Sequence, residues 1–246
     1  MNTYTGITDC YDLLMRAGYY EHDAMAKAAT NVLGARERVL ELGVGTGLFA
    51  QQLIETKPDC QVTGIDFTPS MLELASERVG EEAELIEADV TQMDLGRSYD
   101  AAISSGGVWV VIRDQDEYLL GTHLFGYDDE VQGLSNVADH LESDGLLLLS
   151  IQDMHEDFDQ ELDEGIVYSQ RVGRVDDAGD GRFTIEKHYQ FTRGSDVLAE
   201  EKLELGFYRR PLMDRIVDEA GFALDAIDDD DRFFIYTKDA VTAASP

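Results

Sequence analysis

Two hydrophobic rhythms divide this chain. Between residues 38 and 151, short apolar runs alternate with stretches whose apolar residues recur every three or four positions. That is the pattern of strands and helices in parallel βαβ units. Strands are predicted around Val39-Leu40, at Gln61-Val62-Thr63-Gly64-Ile65, and over 83–87, 99–105 and 146–151. A helix is predicted over 46–56. A second starts at Pro69, because proline is tolerated in a first helical turn. It carries Met71, Leu72, Leu74, Ala75 and Val79 at helical spacing. A third, over 130–141, aligns Val131, Leu134, Val137, Ala138 and Leu141. Both stripes read as core, and the architecture expected is α/β.

After 151 the period changes to two. Residues 165–175, 182–192 and 198–208 alternate like antiparallel strands, joined by turn-rich links at 176–181 and 193–196. They predict a small antiparallel cap inserted before a last helix, 211–220, which Gly221 ends as a C-terminal glycine. Strands at 222–227 and 233–237 complete the sheet, and 240–246 reads as a frayed end. The segment 4–29 has amphipathic helical spacing and four tyrosines, Tyr4, Tyr11, Tyr19 and Tyr20. There are no internal repeats or low-complexity linkers. A single domain is expected: an N-terminal lid (1–30), a core (36–151), the inserted cap (160–208) and the closing helix and strands (209–238).

The chemistry concentrates in Glu41-Leu42-Gly43-Val44-Gly45-Thr46-Gly47, where a strand runs into a glycine-rich turn that opens a helix. Glycines there allow positive φ and close approach of backbone to a ligand. A dinucleotide fingerprint, Gly-x-Gly-x-x-Gly or Ala, would place its third small residue at 48. Leu48 stands there instead, and Glu41 would repel a pyrophosphate. Both points argue against a nicotinamide-dependent oxidoreductase and for a cationic ligand. Asp66 ends the second strand, where a carboxylate suits two ribose hydroxyls.

The E-x-G-x-G-x-G pattern resembles motif I of the class I S-adenosylmethionine-dependent methyltransferases. Four further strand ends agree with it: Asp66; Ala88-Asp89-Val90 after the third strand; Tyr99-Asp100-Ala101-Ala102-Ile103-Ser104-Ser105 as the fourth; and a turn at 142–145, where the family has a Pro-Gly pair. The match covers about 36–151 and the tail. The resemblance implies a Rossmann-like, seven-stranded methyltransferase sheet, mostly parallel with one antiparallel strand. It implies S-adenosylmethionine as cofactor and S-adenosylhomocysteine as product. Glu41 would orient the loop and the methionine amino group, and Gly43, Gly45 and Gly47 would let the backbone approach. Asp66 would hold the ribose, Phe67 or Met71 would flank the adenine, and Asp89, beside Val90, would meet its amino group. The cofactor would lie across the ends of the first, second and fourth strands, the last marked by Ser104. Tyr11-Asp12-Leu13-Leu14 with Tyr19-Tyr20 is similar to the lids of enzymes that N-methylate glycine and aminosugars. The expected reaction is therefore methyl transfer to a nitrogen of a small molecule. An oxygen acceptor is the alternative, and a binding protein without turnover the rival of another class.

Charge narrows the partners. Acids number 51 against 19 bases, a formal net charge of -32. Such a surface repels phosphate backbones and anionic membranes; it reads either as an adaptation for solubility, as in a salty cytosol, or as a field that favours cationic ligands, an amine among them. Asp228-Asp229-Asp230-Asp231 reads as a solvated turn. Cys10 and Cys60 give no disulfide framework or ligand cluster. No secretory leader is visible and no apolar stretch nears the ~20 residues that span a bilayer. A cytoplasmic location is expected, and a homo-oligomer is compatible with the pattern. Metal-dependent methylation would want carboxylates near the fourth strand. None follows Ser105 until Asp114, so a metal-free site is expected.

Candidates for acceptor chemistry lie beyond the strand ends. His123 and His155 could act as bases, and the hydroxyls of Tyr19 and Tyr11 could touch acceptor or cofactor. Trp109 would wall the pocket or cap the core. His188 shares a strand face with Thr184, Glu186 and Gln190, opposite Phe183, Ile185, Tyr189 and Phe191, and is expected to face solvent. His22 and His140 are expected on helix surfaces.

Overall fold

The computed structural model describes residues 4–177 and 179–238 of the 246-residue chain. The end expected to fray, 240–246, lies outside the described residues. Helix α1 (Thr8–Leu14) leads through a wide turn at Met15–Tyr19, broken at Gly18 with φ 90°, into α2 (His22–Leu33). Strands and helices then alternate as β1 (Arg38–Leu42), α3 (Leu48–Thr56), β2 (Gln61–Asp66), α4 (Pro69–Val79), β3 (Ala83–Glu87) and β4 (Tyr99–Ser104). Helix α3 begins at Leu48 rather than at 46, because Gly47 is left-handed, with φ 78°, and belongs to the turn.

Next comes a hairpin to which the periodicity assigns no element, β5 (Trp109–Asp114) and β6 (Glu117–Thr122). Helix α5 (Tyr127–Asp139) lies a little upstream of the span predicted for it. Strand β7 (Leu141–Asp153) is longer than expected. The stretch at 142–145 expected as a turn is an irregularity inside it, where pairing with β4 shifts register between Tyr99 and Ala101. A short β8 (Phe158–Glu161) precedes the long strands β9 (Ile166–Asp177), β10 (Arg182–Arg193) and β11 (Asp196–Arg209). Helix α6 (Arg210–Glu219), β12 (Phe222–Ile227) and β13 (Phe233–Lys238) complete the fold.

The core sheet runs β3-β2-β1-β4-β7-β13-β12, with β13 antiparallel to its neighbours. This is a Rossmann-like order. Its central strands are buried on both faces, which is why they read as near-continuous apolar runs. Alternate residues serve opposite layers. Leu40, Leu42, Leu147 and Leu149 pack under α5 and α6 with Leu134, Val137, Met213 and Ile216. Val39, Leu146 and Leu148 pack under α2, α3 and α4 with Leu33, Phe49, Leu53 and Val79.

The cap is a six-stranded antiparallel sheet in the order β5-β6-β11-β10-β9-β8, larger than the three strands expected. It is not a separate layer. Leu146–Leu149 of β7 pair with β4 and β13, while Ile151–Asp153 of the same strand pair with Val111–Arg113 of β5. The N-terminal segment packs on this cap: Ile7, Leu14 and Met15 bury against Ile166, Tyr168, Tyr189 and Phe191. Among the described residues no helix is long and apolar enough to cross a membrane.

Candidate functional site

A cleft opens at the carboxyl ends of β1, β2 and β4, the place where open α/β sheets bind ligands. The glycine turn forms its floor. Gly43 and Val44 both donate backbone N–H groups to the Ile65 carbonyl at 2.9 Å, which locks the turn to β2. Gly43 has φ +73°, and a Cβ on it would stand 2.8 Å from the Gly107 Cα. A Cβ on Gly107 would stand 2.1 Å from the Leu42 carbonyl oxygen. The turn and the segment after β4 therefore meet backbone to backbone, and only glycines fit there.

Asp66 stands at the centre. Its two carboxylate oxygens accept N–H groups from Gly45 at 2.9 Å and Thr68 at 2.8 Å, and each keeps a further lone pair. Burial raises its pKa above the ordinary value, against those hydrogen bonds. Phe67, Met71, Val90, Ile65, Ala88 and Leu124 supply apolar walls. Tyr11 and Tyr4 close the cleft from the N-terminal segment, and Gly43 and Gly45 from the turn. Met71 is thus both buried and a wall of the cleft.

Other residues expected on the cofactor are not among those that line the cleft. Glu41 is buried beneath the turn, where its Oε1 accepts the Ser105 hydroxyl at 3.0 Å while Oε2 has no partner. Desolvation lifts its pKa to about 8. Gly47 faces α4, where a Cβ would meet Ala75 at 3.2 Å. Asp89 caps its own turn, accepting the Thr91 N–H at 2.9 Å and hydroxyl at 2.7 Å, while its neighbours Ala88 and Val90 line the cleft. Ser104 is buried and accepts the Trp109 N–H at 3.1 Å. Trp109 itself is core: it is fully buried, and its indole donates to Glu130 Oε2 at 2.6 Å.

A second, smaller chamber adjoins the cleft, sharing Tyr4, Gly106, Gly107, Val108 and His123 with it. It lies between the core and the cap. His155 and His123 both line it. Burial, and then the positive charge of Lys187, push the His123 pKa down to about 4 and hold His155 well below the ordinary imidazole value. Both are neutral bases at neutral pH. Tyr19 does not line the chamber but backs it. Its hydroxyl receives a hydrogen bond from the Lys187 ammonium at 2.7 Å and donates to Gln170 Oε1 at 3.0 Å. Tyr20 donates to Gln152 Oε1 at 3.3 Å.

Lys187 is the residue the sequence reasoning passed over. It occupies the apolar face of β10 between Ile185 and Tyr189, and is 1% exposed. The signal was present: one cation interrupts an alternation that otherwise runs Phe183, Ile185, Tyr189, Phe191. Two histidines expected at the surface are not there. His140 is buried, its Nε2 accepting the Leu95 N–H at 2.9 Å. His22 is half-buried, and burial followed by the Arg78 charge pushes its pKa down to about 4. His188 lies on the face expected, 3.4 Å from Glu200. Among the described residues no group of three His, Cys, Asp or Glu side chains is placed to hold a metal ion.

Comparison with known proteins points to a methyltransferase domain. Residues 39–125 match the family model described as a methyltransferase domain. The chain is 30% identical over 135 residues to a malonyl-[acyl-carrier protein] O-methyltransferase of Bacillus anthracis, covering 52% of this chain and 44% of that protein. It is 33% identical over 85 residues to its counterpart in Priestia megaterium, covering 34% and 31%. It is 38% identical over 80 residues to a demethylmenaquinone methyltransferase of Deinococcus radiodurans, covering 31% and 33%. The chain thus spans less than half the length of these curated relatives. Among solved structures, DesVI of Streptomyces venezuelae superposes with a TM-score of 0.70 at 16% identity, covering 94% of this chain and 98% of the other. A sugar N-methyltransferase from a Streptoalloteichus species superposes at 0.65 and 19% identity, covering 93% and 92%. The fold is that of the Rossmann-like methyltransferases over nearly the whole chain.

Proposed function

We propose that this chain is an S-adenosylmethionine-dependent methyltransferase acting on a small molecule held in the chamber between core and cap. The observation that carries the reading is the cleft at the ends of β1, β2 and β4, with Asp66, the glycine turn and the apolar wall together. The residues present fit the cofactor. Asp66 retains lone pairs for a ribose diol, and Phe67, Met71 and Val90 offer a flat apolar wall for a purine. The unpartnered Oε2 of Glu41 is a buried acceptor whose ionised form a cationic ligand would stabilise. Bound there, S-adenosylmethionine supplies a methyl group already activated by its sulfonium charge.

The chain's own residues then align and dry the acceptor. Alignment of that kind is worth ~7 to 11 kcal/mol. Tyr4, Tyr11 and Tyr20 shut water out from the N-terminal side. His123 and His155, neutral at neutral pH, can take a proton from an acceptor that carries one. Nitrogen is the acceptor atom suggested by the likeness of the lid to N-methylating enzymes. Oxygen is favoured by the names of the curated relatives, which include O-methyltransferases of an acyl-carrier-protein-linked substrate. A cytoplasmic, metal-free enzyme without nucleic-acid or membrane partners completes the reading.

The test is binding followed by turnover. Saturating S-adenosylhomocysteine should raise the unfolding temperature, by ~2.7 kcal/mol of added stability at a hundredfold excess over Kd, and NADH should not. Asp66→Ala should weaken that binding at least tenfold, about 1.4 kcal/mol. Binding of the cofactor without release of S-adenosylhomocysteine across amine, phenol and carboxylate acceptors would identify a binding protein without turnover.

A further inference from the structure

The chamber beside the cleft is lined without a single Asp or Glu, in a chain that has 51 of them. Its basic groups are Lys187, His123 and His155. Lys187 is the most deeply buried cation of the fold's interior, and no carboxylate of the described residues answers it. Its ammonium donates to the Tyr19 hydroxyl at 2.7 Å and lies 3.2 Å from His155 Nδ1, and it faces the Tyr189 ring at 4.7 Å from the centroid. Those partners are neutral. Gln152 adds a second donor to the same wall: its Oε1 is taken by Tyr20, and its Nε2 is buried with no partner. An ammonium has three donors and an amide nitrogen two. The wall thus holds unused donors and no carboxylate to meet them.

From this juxtaposition we propose that the chamber is an anion-receiving acceptor subsite, in which Lys187 and Gln152 anchor a carboxylate of the small-molecule acceptor. The inference rests on the methyltransferase reading and names the substrate class for it. Desolvation by burial pushes the Lys187 pKa well below its ordinary value, and a bound carboxylate would favour its charged form. A carboxylate bound between Lys187 and the Gln152 amide would satisfy both at once and hold the acceptor against Gly106 to Val108, the seam the chamber shares with the cofactor cleft. It also reverses the expectation from net charge. The outer surface favours cations, but the groups that would touch the acceptor favour an anion. An ammonium acceptor would meet Lys187 without a counter-charge. Access is available from an open groove on the other side, which shares Tyr20, Gln152 and His155 with the chamber.

Benzoate, benzamide and benzylamine form a probe series of one shape and three charges. Their affinities for the full chain are measured by calorimetry with S-adenosylhomocysteine present. Benzoate is expected to bind at least tenfold more tightly than the other two. Lys187→Met keeps the length and apolar packing of the side chain, and it should erase that preference while leaving S-adenosylhomocysteine affinity unchanged. Lys187→Arg should retain the preference. Gln152→Leu, on a different strand, provides an independent variant and should weaken benzoate while sparing benzamide. A preference for benzylamine, a benzoate preference that survives Lys187→Met, or no binding by any of the three would overturn the proposal. If wild type fails to bind S-adenosylhomocysteine, the methyltransferase reading fails instead, and the probe series without it still tests the anion subsite.

Discussion

The hydroxyl of Thr46, in the glycine turn, donates to the carboxylate of Asp12, in the first helix, at 2.8 Å. Arg78 of α4 binds the other oxygen of Asp12 and also the Thr46 carbonyl. One carboxylate thus fastens the N-terminal segment to the ligand-binding turn. A charge-assisted hydrogen bond contributes ~1.5 to 3 kcal/mol. Asp12→Ala is expected to weaken S-adenosylhomocysteine binding about tenfold and to speed amide exchange in α1, with amides of β1 and β4 unaffected. Unchanged exchange in α1 would show that the segment is held by its apolar contacts alone.

Glu130 is buried with two donors on one oxygen, the Trp109 indole at 2.6 Å and the Thr122 hydroxyl at 3.1 Å. Removing the carboxyl strands both donors. Glu130→Ala should cost ~3 kcal/mol in chemical denaturation followed by Trp109 fluorescence. Burial holds the folded-state pKa up at about 7, against an ordinary 4.5. A raised carboxyl stabilises the fold below its unfolded value, and that stability is lost as pH rises through the folded one. The wild-type melting temperature should therefore fall between pH 5 and pH 8 relative to that of Glu130→Gln. Parallel curves for the two proteins would refute this.

Glu41 predicts a proton linked to binding. Its pKa of about 8 in the free protein leaves it largely protonated at pH 7. A cationic ligand favours the ionised form, so binding at pH 7 should release a proton, and affinity should rise with pH until about 8. Calorimetry in buffers of different ionisation enthalpy reads the proton directly. Glu41→Gln should abolish it and flatten the pH dependence of affinity.

Gly107→Ala tests the seam between turn and cleft. The added Cβ would stand 2.1 Å from the Leu42 carbonyl, a backbone atom that cannot swing aside. The expected cost is ~1 to 3 kcal/mol of stability, together with loss of the melting-temperature rise given by S-adenosylhomocysteine. A variant that kept that rise would show that the two backbones can separate without harm to the cleft.

How legible each part was followed from how many constraints wrote it. β1, β2 and β4 alternate between two cores and end in glycines and an acid that the cleft needs, so periodicity and chemistry marked the same positions. The hairpin at Trp109–Asp114 and Glu117–Thr122 was silent. Val111, Ile112, Leu119 and Leu120 are buried on both faces and show no alternation, and the turn between the strands takes its positive φ, 53°, at Gln115 rather than at a glycine. β8 is too short and too polar to announce itself. Lys187 was hidden by the same rule that found its strand, since a face read as apolar conceals the one member that is not. His140 was misplaced because a helix end looks exposed in sequence, whereas its ring accepts a backbone N–H from a neighbouring loop.

One unbroken strand, β7, belongs to both sheets. Swinging the cap away from the core would mean shearing a continuous ladder of backbone hydrogen bonds, so the two move as one frame. The N-terminal segment is fastened across that frame by side chains such as Asp12, Tyr19 and Tyr20. Opening of the cofactor cleft then falls to that segment, which acts as a door on a rigid frame. A covalent tether from residue 17 to Gln160, whose side chain already donates to the Ala17 carbonyl at 2.8 Å, would bolt that door and slow exchange of whatever the cleft holds.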